Sequence, residues 1–150
     1  ASRHNLIYWR YGDYLGIGPG AHGRLTLGSQ KIATEAFSNP ARWLEGSQHG
    51  LTERTAVPLT RIDQAQEFLL MGLRLKEGID LKRYTALAGA PLDAAKLDHM
   101  VDLGMVSLRN ERLTVSEQGL MVLNAVIEAL SPDQPPPSTR QSSSSSSRER

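Results

Sequence analysis

The stretch from His4 to Gly23, HNLIYWRYGDYLGIGPGAHG, limits what this chain can fold into more than any other. It gathers five of the 13 glycines, three of the four tyrosines (Tyr8, Tyr11, Tyr14) and two of the four histidines. Tyr14-Leu15-Gly16-Ile17-Gly18 reads as a short buried strand. A Pro19-Gly20 turn follows, then a small-residue loop, Ala21-His22-Gly23. Glycines at a strand end point to close approach by another backbone or by a ligand. This is the layout of a ligand-facing loop at the carboxyl end of a strand in an α/β protein.

The segment Gly18-Pro19-Gly20-Ala21-His22-Gly23 has the spacing of a dinucleotide fingerprint. That reading requires the loop to open a helix whose N-terminus holds a pyrophosphate. The residues that follow, Arg24 to Ile32, alternate apolar and polar around Gly28-Ser29. This pattern predicts a hairpin with a two-residue turn, not a helix.

Residues 1–34 therefore read as strand, glycine loop and hairpin. Asn39-Pro40 predicts a helix start, with a cap followed by proline. Ala41 to Glu45 forms a short helix stopped by Gly46. Gly46 to Leu59 reads as a polar loop with Pro58 as a breaker, and a domain boundary falls near residue 58. Thr60 and Asp63 resemble a capping box for a helix to about Leu75. Its stripe is Ile62, Ala65, Leu69 and Leu73, widened by Phe68. Asp80 caps a second helix, Leu81 to Leu87, closed by Gly89. A third runs from Leu92 to Leu103 on a stripe of Ala94, Leu97 and Val101, widened by Met100 and closed by Gly104. Residues 105–108 and 112–115 predict two strands around a turn. Ser116 caps a last helix with Leu120, Leu123, Ile127 and Leu130 on one face. Three helices, a hairpin and a closing helix make a winged-helix-like α+β domain over residues 59–130. From 131 to 150, three consecutive prolines and six consecutive serines predict a disordered tail, because such a segment buries too little surface to offset chain entropy.

Composition removes several function classes. No cysteine is present, so there is no thiol nucleophile, disulfide or thiolate metal site. No apolar run approaches the ~20 residues of a membrane span. The N-terminus shows no signal-peptide pattern and begins at Ala1, which reads as a fragment or a processed chain. Of 17 basic and 16 acidic residues, the tail takes three and two, leaving 14 of each sign in residues 1–130. A part without net positive charge is a poor phosphate-backbone binder. The helix that would enter a groove carries Lys96 against Asp93, Asp98 and Asp102, so nucleic acid is not an expected partner. The four histidines show no metal-ligand spacing, and neither a serine-nucleophile elbow nor a P-loop is present. Asp13 reads as a turn residue or as a carboxylate at the ligand end of the site.

The motif HN-x-x-YW-x-x-GDYLGIG-x-GAHG resembles the end of the radical SAM domain in HemW-type proteins. These are heme chaperones related to oxygen-independent coproporphyrinogen III oxidase. Three later blocks are similar in order: Asn39-Pro40-x-x-Trp43-Leu44, then Glu67-Phe68-Leu69-Leu70-Met71-Gly72-Leu73-Arg74-Leu75 with Gly78, then Leu113-Thr114 with Gly119 and Leu123-Asn124-x-Val126. The resemblance implies that residues 1–58 are the last strand and hairpin of a radical SAM partial barrel with a connector, an α/β fragment. It implies that Gly16, Gly18, Gly20 and Ala21 lie against S-adenosylmethionine. It implies that His4, from the HN-x-x-YW motif, is a heme ligand, as a neutral imidazole can be. A [4Fe–4S] cluster belongs to the family's cofactors, but its C-x-x-x-C-x-x-C ligands are absent here, so this chain would be inactive alone. Heme or porphyrin, heme-acceptor proteins and a cytoplasmic setting complete the implied picture. Two rival readings stay open. One is a stand-alone winged-helix interaction module without cluster chemistry. The other is a small nucleotide-binding enzyme, which needs a helix after Gly23.

Overall fold

A computed structural model describes residues 3–132 of the chain. The Pro/Ser-rich tail beyond Pro132 lies outside the described residues, and with it the disorder expected there. The described chain is mixed α/β with two small antiparallel sheets.

The N-terminal segment departs from the extended reading. Arg3–Trp9 forms a helix, α1. The helix ends at Tyr11, whose φ is 57°; its N–H donates to the Tyr8 carbonyl at 3.0 Å and that of Gly12 donates to Ile7 at 2.9 Å. A non-glycine residue in the left-handed region stops a helix as a C-cap glycine does, at some cost in strain.

The hairpin forms as predicted. Strands β1 (His22–Leu27) and β2 (Gln30–Ala36) pair antiparallel. Leu27 lies opposite Gln30, so Gly28-Ser29 is the two-residue turn, and Gly28 takes φ 63°. The absence of a helix after Gly23 removes the dinucleotide-fold reading. Helix α2 (Pro40–Ser47) has Asn39 as its N-cap, with the side chain accepting from the Arg42 N–H at 3.0 Å. It runs through Gly46 instead of stopping there. The predicted polar loop then contains a third strand, β3 (Glu53–Pro58), paired to β2 with a bulge at Glu35/Ala36. All six of its residues are exposed, so it carries no hydrophobic alternation for a sequence pattern to detect.

Helix α3 (Arg61–Gly72) starts at the predicted capping box. The Asp63 N–H donates to Thr60 Oγ at 3.1 Å, and the Thr60 N–H donates to Asp63 at 3.0 Å. The helix ends three residues earlier than expected, at Gly72. Strand β4 (Ile79–Asp80), helix α4 (Leu81–Ala88) and helix α5 (Ala94–Asp102) follow, the two helices capped by Asp80 and Asp93. Strands β5 (Val106–Arg109) and β6 (Arg112–Val115) turn through Asn110-Glu111, both at positive φ. This is the mirror-image turn that matches strand twist. Strand β4 adds to β6, giving the order β4-β6-β5. The final helix is two helices, α6 (Glu117–Met121) and α7 (Leu123–Leu130), broken at Val122 with φ −124°.

One core holds this together. Ala65, Phe68, Leu69 and Leu73 of the α3 stripe meet Ile79, Tyr84, Leu92, Leu97, Val106, Leu113, Val126, Ile127 and Leu130. Tyr11 enters the same cluster from the N-terminal segment. Two stripe predictions fail. Ala94 and Val101 face out from α5, because Leu97 and Met100 supply its inner face. Leu120 is exposed because the break at Val122 turns α6 away from the core.

Candidate functional site

Tyr14 does not start a buried strand. It makes one antiparallel bridge to Arg24, through N–H to carbonyl bonds of 2.8 and 2.9 Å in the two directions. Leu15 and Ile17 are 66% and 83% exposed. The stretch alternates half-buried and exposed residues. Among the described residues, the main-chain N–H groups of Leu15, Gly16, Ile17 and Gly18 meet no main-chain acceptor. It is a strand-like segment with one side attached to β1 and the other open. The burial expected from its apolar residues is missing because no described element packs over them.

The four predicted glycine-loop residues do come together. Gly16 needs to be glycine because a Cβ would stand 2.6 Å from the His22 carbonyl oxygen. The close approach there is the chain's own backbone. Gly18, at φ 111°, has nothing within 4 Å of where a Cβ would stand, and Gly20 takes φ 70°. The loop closes with the Ala21 N–H donating to the Gly18 carbonyl at 3.2 Å. It is tied to the end of β2, where the Gly20 N–H donates to Phe37 at 2.9 Å and the Ala36 N–H donates to Ala21 at 2.8 Å. Of the three glycines, Gly18 is the one with nothing within 4 Å of its Cβ position. His4 lies in the first turn of α1, and its side chain is outside the described set.

A cleft of about 390 Å³ opens beside this segment, lined by Ile7, Tyr8, Tyr14, Leu15, Ile17 and Leu25 with Asp13 at its edge. The Tyr8 and Tyr14 rings lie 4.7 Å apart, and Trp9 meets Tyr8 edge-on at 5.8 Å. Burial first, and then the Tyr8 hydroxyl, pushes the Tyr14 phenol up to about 12. It is a neutral hydrogen-bonding group at physiological pH. The walls are apolar and aromatic, which suits a flat apolar ligand.

Charged groups fix the frame behind the cleft. Asp13 accepts from the Thr26 N–H at 2.8 Å, from Thr26 Oγ at 2.9 Å and from Lys31 Nζ at 3.0 Å. These contacts reach β1 and β2, 13 and 18 residues along the chain, so Asp13 anchors two strands instead of closing a local turn. Partial burial acts to raise its pKa, but those three bonds outweigh it and hold the carboxyl below its usual value. A carboxylate with a lowered folded pKa stabilises the fold above its unfolded pKa, and that contribution is lost as pH falls through the folded value. Asp13→Asn is therefore expected to be less stable than the native chain at neutral pH, with the gap closing below about pH 4. Urea unfolding at pH 7 and in acid checks this.

Two further anchors are invisible in the sequence. Lys31 is buried, and its Nζ donates to the Tyr11 carbonyl at 3.2 Å and sits 4.2 Å from the Tyr11 ring centroid. Arg24 grips Glu67 of α3 with Nη2 at 2.6 Å and Nε at 3.0 Å, both side chains about four-fifths buried. The Tyr11 hydroxyl is buried and makes no hydrogen bond among the described residues; burial, with the Glu67 carboxylate nearby, pushes its pKa up. Arg24 and Glu67 lie 43 residues apart, so no local spacing signals the pair.

Among the described residues no group of three His, Asp or Glu side chains is placed to hold a metal ion. No helix among them is long and apolar enough to cross a membrane.

Comparison with known proteins gives a consistent answer. Residues 59–122 match the family described as the HemN C-terminal domain. The chain is 33% identical over 129 residues to heme chaperone HemW of Haemophilus influenzae, across 84% of this chain and 33% of that protein. It is 33% identical over 143 residues to radical S-adenosyl methionine domain-containing protein 1, mitochondrial, of Bos taurus, across 86% of this chain and 32% of that protein. Its fold matches the structure of coproporphyrinogen III oxidase (HemN) from Escherichia coli, a radical SAM enzyme, with a TM-score of 0.54 and 16% identity over 80% of this chain and 28% of that one. The chain thus spans about a third of the length of the curated relatives it matches.

Proposed function

The chain belongs to the radical SAM family of HemW-type heme chaperones and HemN-type proteins, and from that premise we propose that it supplies the closing strand, the glycine loop and the winged-helix-like C-terminal domain of such a protein. Its part is to form SAM and heme or porphyrin surface. The observation that carries this reading is the open edge at Leu15–Gly18. Tyr14 turns its N–H to Arg24, so in a strand-like segment the alternate N–H groups of Leu15 and Ile17 turn to the open side; they meet no main-chain acceptor among the described residues, as at the edge of a barrel strand whose neighbour is still to be added.

The residues fit the implied ligands unequally. Gly18 has open space where a side chain would be, and N–H donors lie beside it, which suits a carboxylate-bearing ligand such as SAM. The aromatic cleft next to α1 suits a porphyrin face, with His4 of α1 as the heme ligand. The [4Fe–4S] cluster does not fit this chain, which has no cysteine; it would supply the one-electron chemistry from ligands elsewhere. Gly16, Gly18, Gly20 and Ala21 shape and present the SAM side. Residues 59–130 form the domain that carries this frame through Arg24 and Glu67. On this reading the protein works in the cytoplasm, with heme-acceptor proteins as its partners.

Heme titration followed by absorbance tests it. The chain is expected to give a Soret band shifted from that of free heme, and His4→Ala is expected to lose that shift. An identical response in His4→Ala would remove His4 from the proposal. No shift in the native chain would remove heme binding by these residues altogether.

A further inference from the structure

A second cleft, of about 490 Å³, shares no lining residue with the first. It is assembled from five places in the chain. Trp9 and Arg10 come from the end of α1, Phe68 from α3, Glu77 and Asp80 from the approach to α4, and Arg83 and Arg112 from α4 and β6. Three guanidinium groups therefore meet two carboxylates.

Both carboxylates are already engaged. Glu77 accepts from Arg10 Nε at 2.8 Å and Nη2 at 3.0 Å. Asp80 caps α4, accepting from the Arg83 main-chain N–H at 2.9 Å. The Arg83 and Arg112 guanidiniums have no carboxylate within ion-pair distance among the described residues, though Arg112 is near enough to Glu77 and Asp80 for its charge to add to those hydrogen bonds in lowering both carboxyls' pKa. Each is instead tethered by one main-chain carbonyl: Arg83 Nη2 donates to Tyr11 at 3.3 Å, and Arg112 Nη1 donates to Glu77 at 3.1 Å. Arg83 also lies 5.1 Å from the Phe68 ring centroid. A single tether holds each planar head at the cleft and leaves most of its five donors available. Guanidinium forks in that state match the paired oxygens of carboxylate and phosphate. Trp9 adds an apolar wall.

We propose that this cleft binds a small organic anion bearing carboxylate or phosphate groups, held by Arg83 and Arg112 against Trp9. The site shares no lining residue with the aromatic cleft or the glycine loop, although Trp9 packs edge-on against Tyr8, which lines that cleft. Arg10 is the adjustable member: its pair with Glu77 is exposed on both sides, so it can share its donors with an incoming anion.

The test uses the whole 150-residue chain and two probes, citrate and inorganic pyrophosphate, followed by calorimetry and by tryptophan fluorescence. At least one probe is expected to bind, with affinity falling as sodium chloride rises. Arg112→Gln is expected to weaken binding about tenfold or more, the scale of one lost charge-assisted contact. Arg54→Gln, which removes an arginine paired to Glu35 on the distant sheet, is expected to leave it unchanged. The preferred probe tells a carboxylate ligand from a phosphate ligand. Arg83→Gln is the second variant, read only if its thermal melt matches the native chain, because Arg83 also holds the Tyr11 carbonyl. Failure of both probes to bind at millimolar concentration would overturn the proposal. So would equal binding by the native chain and Arg112→Gln.

Discussion

Gly78→Ala is expected to destabilise the protein by about 2–5 kcal/mol, the sum of a backbone penalty and a steric one. Gly78 ends the turn after α3 with φ 63°, a conformation that costs an alanine roughly 1 kcal/mol. Its position is the larger problem. A Cβ there would stand against the Leu113 carbonyl, well inside van der Waals contact, and 2.8 Å from Thr114 Cγ2. Neither neighbour can yield easily. Leu113 is fully buried in β6, and its register with Ile79 makes the sheet of β4, β5 and β6. The relief available is to push β4 off β6, which uncovers Ile79 and the end of α3. Chemical denaturation should show a lower midpoint with little change in slope. Gly50→Ala is the control. It has φ 68° but open space around its Cβ position, so it should cost only the backbone part. Equal losses at the two positions would mean that packing against β6 is not what holds Gly78.

Glu67→Ala is expected to cost about 2–3 kcal/mol, because it leaves Arg24 largely buried without its partner. The pair joins the first sheet to α3 and has good geometry, with both side chains mostly out of solvent. The Glu67 carboxylate also raises the Arg24 pKa, chiefly through its hydrogen bond and further through its charge, against the opposing effect of burial. A double-mutant cycle with Arg24→Ala separates the pair from the cost of the orphan. The double variant should recover part of the single-variant loss. The same cycle reports on the frame of the glycine loop, since the Arg24 backbone holds Tyr14. Additive losses would show that the two side chains do not depend on each other.

What the sequence reveals best is local. Helix caps at Asn39, Thr60, Asp80 and Ser116 are short-range hydrogen-bonding devices, and all four stand where their spacing puts them. The Gly28-Ser29 hairpin is equally local. The buried face of α3 follows from periodicity alone. Elements that depend on pairing instead of pattern escape such reading. Strand β3 exists because β2 offers it an edge, and β4 is two residues long. Helix α1 looks like extended chain in the sequence, but aromatic residues favour strands only when a sheet is there to receive them.

The site divides along the same line. Sequence alone determined that a Pro19-Gly20 turn and a hairpin follow the Tyr14 to Gly18 stretch, and that this chain supplies no thiolate ligand. Spacing and residue chemistry are enough for such statements. Tertiary structure decided the rest. It showed that Gly16 is reserved for the chain's own backbone while Gly18 faces open space. It turned Asp13 into the anchor of Thr26 and Lys31, and brought Glu67 to Arg24 and Arg83 to Arg112 around separate centres. Residues tens of positions apart acquire a shared role only when the fold brings them together, whether buried like Arg24 and Glu67 or exposed like Arg10 and Glu77. No one-dimensional pattern encodes that distance.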